Sequence, residues 1–338
     1  MKSFFTNFRL LAVVAILFSV CVLPSCDSEI DKEEAAPVEW QKKADFPGVA
    51  RSSAVSFIIG GKAYVGTGFS GATQLNDFWV YDATSDSWER LADFPGEARS
   101  GAVGFSANGK GYIGTGYNGT GYLKDFYEYD PATLTWTQIE DFPGTARFGA
   151  IAMSFADKGF VGTGFDGNFL RDFWQYDPAT ATWMEQPELD GAKRLNGFAF
   201  TVNGKGYIGG GQNNGLIQTD LLEFNPANGQ WRILKGLKAD QRVGEQFPTA
   251  RNFAATFSIN NKGYVVGGTN SLGASVGLSD VWEYDPTTDT WTQRGNFGGG
   301  TRLGAVAFGL NEQGFVGLGS GGSARYKDLW QLKPSSGE

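Results

Sequence analysis

One phrase returns along this chain with an arginine at the same place in each copy. Residues 45–57 read DFPGVARSSAVSF, 93–105 DFPGEARSGAVGF and 141–153 DFPGTARFGAIAM; the same frame aligns Arg51, Arg99, Arg147, Arg194, Arg251 and Arg302 at steps of 48, 48, 47, 57 and 51 residues. A unit of this length cannot bury its own apolar face, so its copies must pack against one another. The rest of each copy keeps step. A small residue stands third after the arginine (Ala54, Ala102, Ala150, Gly197, Ala254, Ala305) and a large apolar one sixth (Phe57, Phe105, Met153, Phe200, Phe257, Phe308).

A second segment follows in every copy (KAYVGTG, KGYIGTG, KGFVGTG, KGYIGGG, KGYVVGG, QGFVGLG). A third begins at an aspartate: Asp77, Asp125, Asp172, Asp220, Asp280 and Asp328. Asp-Pro-type turns then lead to Trp88, Trp136, Trp183, Trp231 and Trp291. Each copy therefore reads as four short strands joined by tight turns, and 49 glycines with 14% aromatic and 19% charged residues suit an all-β chain.

The glycines closing the second strand, the aromatic residue of the third and the tryptophan of the fourth resemble the kelch repeat, whose period lies near 50 residues. The resemblance covers 38–338 and implies a six-bladed β-propeller with four antiparallel strands per blade. The last copy stops after its third strand, at LWQLKPSSGE. Trp40 stands five residues before Asp45, as Trp88 stands five before Asp93, so the amino-terminal strand is expected to complete the last blade and close the ring. A closed ring leaves no open seam, and a monomeric propeller is expected. Kelch propellers are often named after galactose oxidase, whose copper site needs histidines and a cysteine-linked tyrosine. A chain with no histidine, and with cysteines only at 21 and 26, cannot build that site.

The amino terminus is read apart from the repeats. Lys2 and Arg9 precede an apolar run over 10–23, shorter than the ~20 residues of a membrane span, as in a secretory signal. The run ends LPSC, which resembles a lipobox and implies a signal peptide over 1–25, lipidation at Cys26 and an acidic tether over 26–37. The acidic residues after Cys26 resemble signals that send bacterial outer-membrane lipoproteins to the cell surface, with the periplasmic side as second choice. Without Lys2 and Arg9 the chain holds 26 basic and 36 acidic residues, a net charge near −10 that repels nucleic acid.

In an up-and-down blade the loops between strands two and three share a face with the link into the next blade, which carries the arginine. By resemblance to kelch proteins that bind acidic peptides, Arg51, Arg99, Arg147, Arg194, Arg251 and Arg302 are candidate ligand contacts, and those near 235–247 are expected to be reachable from the channel mouth. A structural role stands beside this, because a residue required in every blade is paired with acids of the repeat, either the Asp77 series or Asp45, Asp93, Asp141 and Glu188. Phe69, Tyr117 and Phe165 follow the glycines in three blades only, placed either to stack on sugar rings or to pack between blades. The long link 235–247 and the long loop 269–280 fall on the same face.

Several chemistries are excluded or unassigned. GTGFSG, GTGYNG and GTGFDG match a dinucleotide fingerprint but precede strands, not helices. The absence of histidine removes Ser-His-Asp catalysis and His-ligated metals, and no cofactor or metal is expected. The expected function is a surface- or periplasm-exposed lipoprotein that binds a glycan or acidic protein. The alternatives are an enzyme resembling kelch sialic acid epimerases (mutarotases), or a scaffold of an outer-membrane complex.

Overall fold

The computed structural model describes Met1 and residues 37–238, 244–272 and 277–333. The described residues from 37 onward belong to one unit, and its strands gather into six antiparallel sheets of four. The first blade holds Val55–Ile59, Lys62–Gly66, Phe78–Asp82 and Ser87–Arg90, in that order from the axis outward, and the next four blades repeat it. Two-residue hairpins flank two of the loops on one face, Gln212–Asn213 with Leu216–Ile217 and Ser320–Gly321 with Ala324–Arg325.

The sixth blade closes as expected. Val306–Leu310, Gln313–Gly317 and Leu329–Lys333 take Glu39–Lys42 as their outermost strand, with Trp40 opposite Leu332 and Lys42 opposite Trp330. The Trp40 ring meets Phe297 edge-on at 4.8 Å. The proposed signal peptide, Cys26 and almost all of the acidic tether lie outside the described residues.

Alternation along the first strand of each blade explains how six sheets share an axis. Val55, Phe57 and Ile59 are buried between blades, while Ser56 and Ile58 turn toward the centre. Equivalent positions, among them Ser106, Ser154, Ala199 and Thr256, line a channel of about 260 Å³. The sixth residue after each arginine then packs onto the second strand of the next blade at a glycine. A Cβ on Gly111, Gly159, Gly206, Gly263 or Gly314 would lie 2.0–2.6 Å from Phe57, Phe105, Met153, Phe200 or Phe257, respectively. In the first blade Ala63 occupies this place, in one core cluster with Phe308.

Two changes test this packing. Gly159→Val should lower the unfolding free energy by about 2–3 kcal/mol in urea titrations, although valine favours strands, because Phe105 already fills the space. Trp40→Ala should cost about 2 kcal/mol, less than a fully buried tryptophan, since Trp40 is half-buried.

Candidate functional site

The repeated phrase is a staple between blades. Phe46 donates its backbone N–H to Lys327 of the sixth blade, while its ring lies 4.8 Å below the Arg51 guanidinium and edge-on to Trp79 and Trp88 of the first. Gly48 is bare for want of space, since its Cβ would fall 2.6 Å from Phe46 and 3.0 Å from Arg51. Arg51 donates to both oxygens of Asp77, at 2.6 and 2.7 Å, to the Thr67 carbonyl and to its own neighbour Val49. Arg99, Arg147 and Arg251 repeat this forked pairing on Asp125, Asp172 and Asp280. Arg194 reaches Asp220 through one nitrogen only.

Arg302 departs further. It bonds Asp328 through one nitrogen and lies 3.6 Å over the Tyr326 ring, leaving its own Nε and Asp328 Oδ1 without partners among the described residues.

The expectation that these arginines face a ligand is therefore corrected. All six are at most 2% exposed, including Arg251 beside the long link, and each is held by a carboxylate of its own third strand. A buried guanidinium needs a fixed acid nearby, and the Asp77 series supplies it. The other acids stay outside: Asp45, Asp93 and Asp141 pair with Lys42, Arg90 and Lys124 at the surface.

The backbone of the phrase makes two closed circuits around the axis. The carbonyl of each arginine accepts from the closing glycine of the preceding blade at 2.7–2.8 Å, with Gly319 to Arg51 completing the circle. Two residues on, Ser53, Gly101, Gly149, Asn196, Phe253 and Gly304 all adopt left-handed φ of 53–62°. Each donates its N–H to the carbonyl of its counterpart in the blade before, at 2.8–3.1 Å. These six residues form the mouth of the channel on the loop face.

Around that mouth five blades offer the same geometric station with different chemistry. The residue after the arginine bridges to the residue after the glycines, which in turn pairs with a residue across the loop hairpin, while in the fifth blade the described residues show the first bridge, Asn252 with Thr269. The station carries Ser52, Phe69 and Gln74 in the first blade, Ser100, Tyr117 and Tyr122 in the second, and Phe148, Phe165 and Phe169 in the third. The fourth has Leu195, Gln212 and Ile217, and the sixth Leu303, Ser320 and Arg325.

Between blades five, six and one lies a cavity of about 200 Å³, bounded by Phe253, Leu303, Ser320, Ser52, Phe69 and Arg325. The half-buried Arg325 guanidinium sits 5.6 Å over the Phe69 ring. Its Nη1 donates only to the neighbouring Ser323 and Ala324 carbonyls, its Nε has no partner, and among the described residues no carboxylate pairs with it. Phe69, Tyr117 and Phe165 thus do sit on the loop face, half-buried. Arg325, Tyr122 and Phe169 escaped sequence reasoning because pairing across the loop, not the repeat frame, unites them with these rings, while Phe148 stands in the frame, after Arg147, where other copies carry serine, leucine or asparagine. The only signal was that each breaks the pattern at its own position.

The long insertions are described in part. Leu237 takes the buried station held by Phe46, Phe94, Phe142 and Phe297 in four copies and by Leu189 in another, donating its N–H to Thr219, and Leu272 is exposed near Gly215. Residues 239–243 and 273–276 lie outside the described residues. Among the described residues no group of three His, Cys, Asp or Glu is arranged to hold a metal.

Removing one partner of a buried pair strands the other. Arg147→Ala should therefore cost about 3 kcal/mol or more in urea unfolding, far beyond the effect of an ordinary surface change. Acid should act on the same pairs. Burial pushes the Asp77 and Asp280 carboxyls up, but bonds from Arg51 and Trp79, and from Arg251 and Trp282, outweigh it and hold both below the ordinary value of 3.8. With the folded value below the unfolded one, their stabilisation is complete above pH 3.8 and is lost as pH falls through the folded values. Thermal midpoints should fall in that acid range, and the double variant Asp77→Asn, Asp280→Asn should be less stable at pH 7 with a shallower acid limb.

The kelch motif profile matches residues 50–95 and 250–298, the stretches that hold the first and fifth blades. A solved structure of the protein YjhT superposes with a TM-score of 0.72 at 17% identity, over 88% of this chain and 98% of its own length. No curated protein matches by sequence. With these matches and the closed ring of six four-stranded sheets, the chain is a six-bladed β-propeller that carries kelch motifs.

Proposed function

We propose that this propeller is a binding module that takes a carboxylate-bearing saccharide at the mouth of its loop face, with Arg325 as the anion contact. The observation that carries the reading is Arg325 itself, a half-buried guanidinium with an unpartnered Nε at the edge of a cavity, whereas the six arginines of the repeat are sealed in pairs. A guanidinium offers a fork of donors to a carboxylate, the Phe69 ring an apolar face to sugar C–H groups, and Ser52, Ser53 and Ser320 hydroxyl partners. The cavity is smaller than the ~300–1,000 Å³ of drug-sized sites, which suits one sugar unit. The chain's net charge of −8 disfavours polyanions at long range, so a ligand with a single carboxylate fits better than an acidic peptide.

In this reading the lipid at Cys26 tethers the protein to the outer membrane on the cell-surface side. Metabolic labelling with palmitate should mark the wild type and leave Cys26→Ala unlabelled.

Calorimetric titration with D-glucuronate should show binding that the methyl ester lacks. Arg325→Gln should weaken it about tenfold or more, the loss of one charge-assisted contact, without moving the thermal midpoint. Acting as a binder, the protein should leave the anomer exchange of glucuronate and N-acetylneuraminate at its spontaneous rate in proton NMR. Equal binding of acid and ester would overturn the reading.

A further inference from the structure

The loop face carries a second feature that the mouth does not use. Tyr117, Tyr122, Phe148, Phe165 and Phe169 form one contiguous group across the second and third blades, each half-buried. Tyr122 stacks on Phe148 at 5.2 Å and meets Phe165 edge-on at 6.1 Å, Phe165 meets Phe169 at 5.0 Å, and Tyr117 lies 5.8 Å from Tyr122. Packing between blades does not require these rings, because the fourth and sixth blades hold the same station with Leu195, Gln212 and Ile217, and with Leu303, Ser320 and Arg325.

The group is continuous with the mouth. Gly71, in the loop that follows Phe69, lies against the Arg325 side chain, and Gln74 lies against Gly119, between Tyr117 and Tyr122. The arc thus runs from a cation at one end to uncharged rings at the other. The acids beside those rings, Glu97 held by Asn118 and Asp166 next to Phe165, offer acceptors for hydroxyl groups and repel further carboxylates.

We propose that the rings of blades two and three are a second subsite of the same face, taking the neutral sugar units of an oligosaccharide whose one carboxylate is held at Arg325. This rests on the function proposed above and extends it from a single acidic sugar to a chain with an acidic end.

The experiment compares D-glucuronate with xylotriose bearing one terminal glucuronate, titrated into the purified protein and into its Tyr122→Ala and Phe148→Leu variants. The longer sugar should bind about five- to tenfold more tightly than glucuronate, and both variants should remove that gain while leaving glucuronate affinity and the thermal midpoint unchanged. Phe148→Leu keeps the site apolar, so it reports on stacking even if Tyr122→Ala loosens the loop. Equal affinities for the two sugars, or variants that weaken both alike, overturn the second subsite while sparing the mouth. Failure of glucuronate to bind at all removes both.

Discussion

The structure turns on a buried ion pair repeated six times. A guanidinium taken out of water is stable only with an acid held in fixed geometry, and the aspartate that opens each third strand provides it. The same arginine gives its carbonyl to the closing glycine of the preceding blade. One residue therefore fixes the inside of its own blade and the seam beside it. In the first three copies a phenylalanine lies below the guanidinium, and a glycine stands where any side chain would collide with both.

Where the phrase does change, the consequences are local. In the fourth blade Leu222 replaces the third-strand aromatic residue, so Asp220 lacks the indole N–H that Trp79, Trp174, Trp282 and Trp330 donate to Oδ2 of their aspartates. Its Oδ1, which an arginine Nη1 meets in four other blades, has no partner among the described residues. In the sixth blade the pair is reduced to one bond, and burial lowers the affinity of Arg302 for its proton. The ring tolerates two weaker staples because the backbone circuits pass through these blades unbroken.

A scaffold that closes on itself frees its loops from structural work. The hairpin stations around the mouth are geometrically equivalent, yet they carry phenylalanine and glutamine in one blade, five aromatic rings across two others and serine with arginine in a fourth. Equivalent geometry with unequal chemistry marks the surface where a ligand without six-fold symmetry can be met. The arginines that the repeat displays most loudly are the ones least able to meet it.

The sequence by itself determined the blade count, the four strands of each blade and the seam closed by Trp40, because each depends on spacing and alternation that a repeat writes out in full. It also contained the right partners for the arginines among two series of acids, but not the choice between them. Spacing brings both series near the phrase, and only the tertiary structure shows that the Asp77 series points inward while Asp45, Asp93 and Asp141 bond surface cations. The candidate site was legible only as far as Phe69, Tyr117 and Phe165. Arg325, Tyr122 and Phe169 join these through pairing across the loops and contacts between adjacent blades, and such proximity depends on how each loop folds back, which the period of the repeat does not encode.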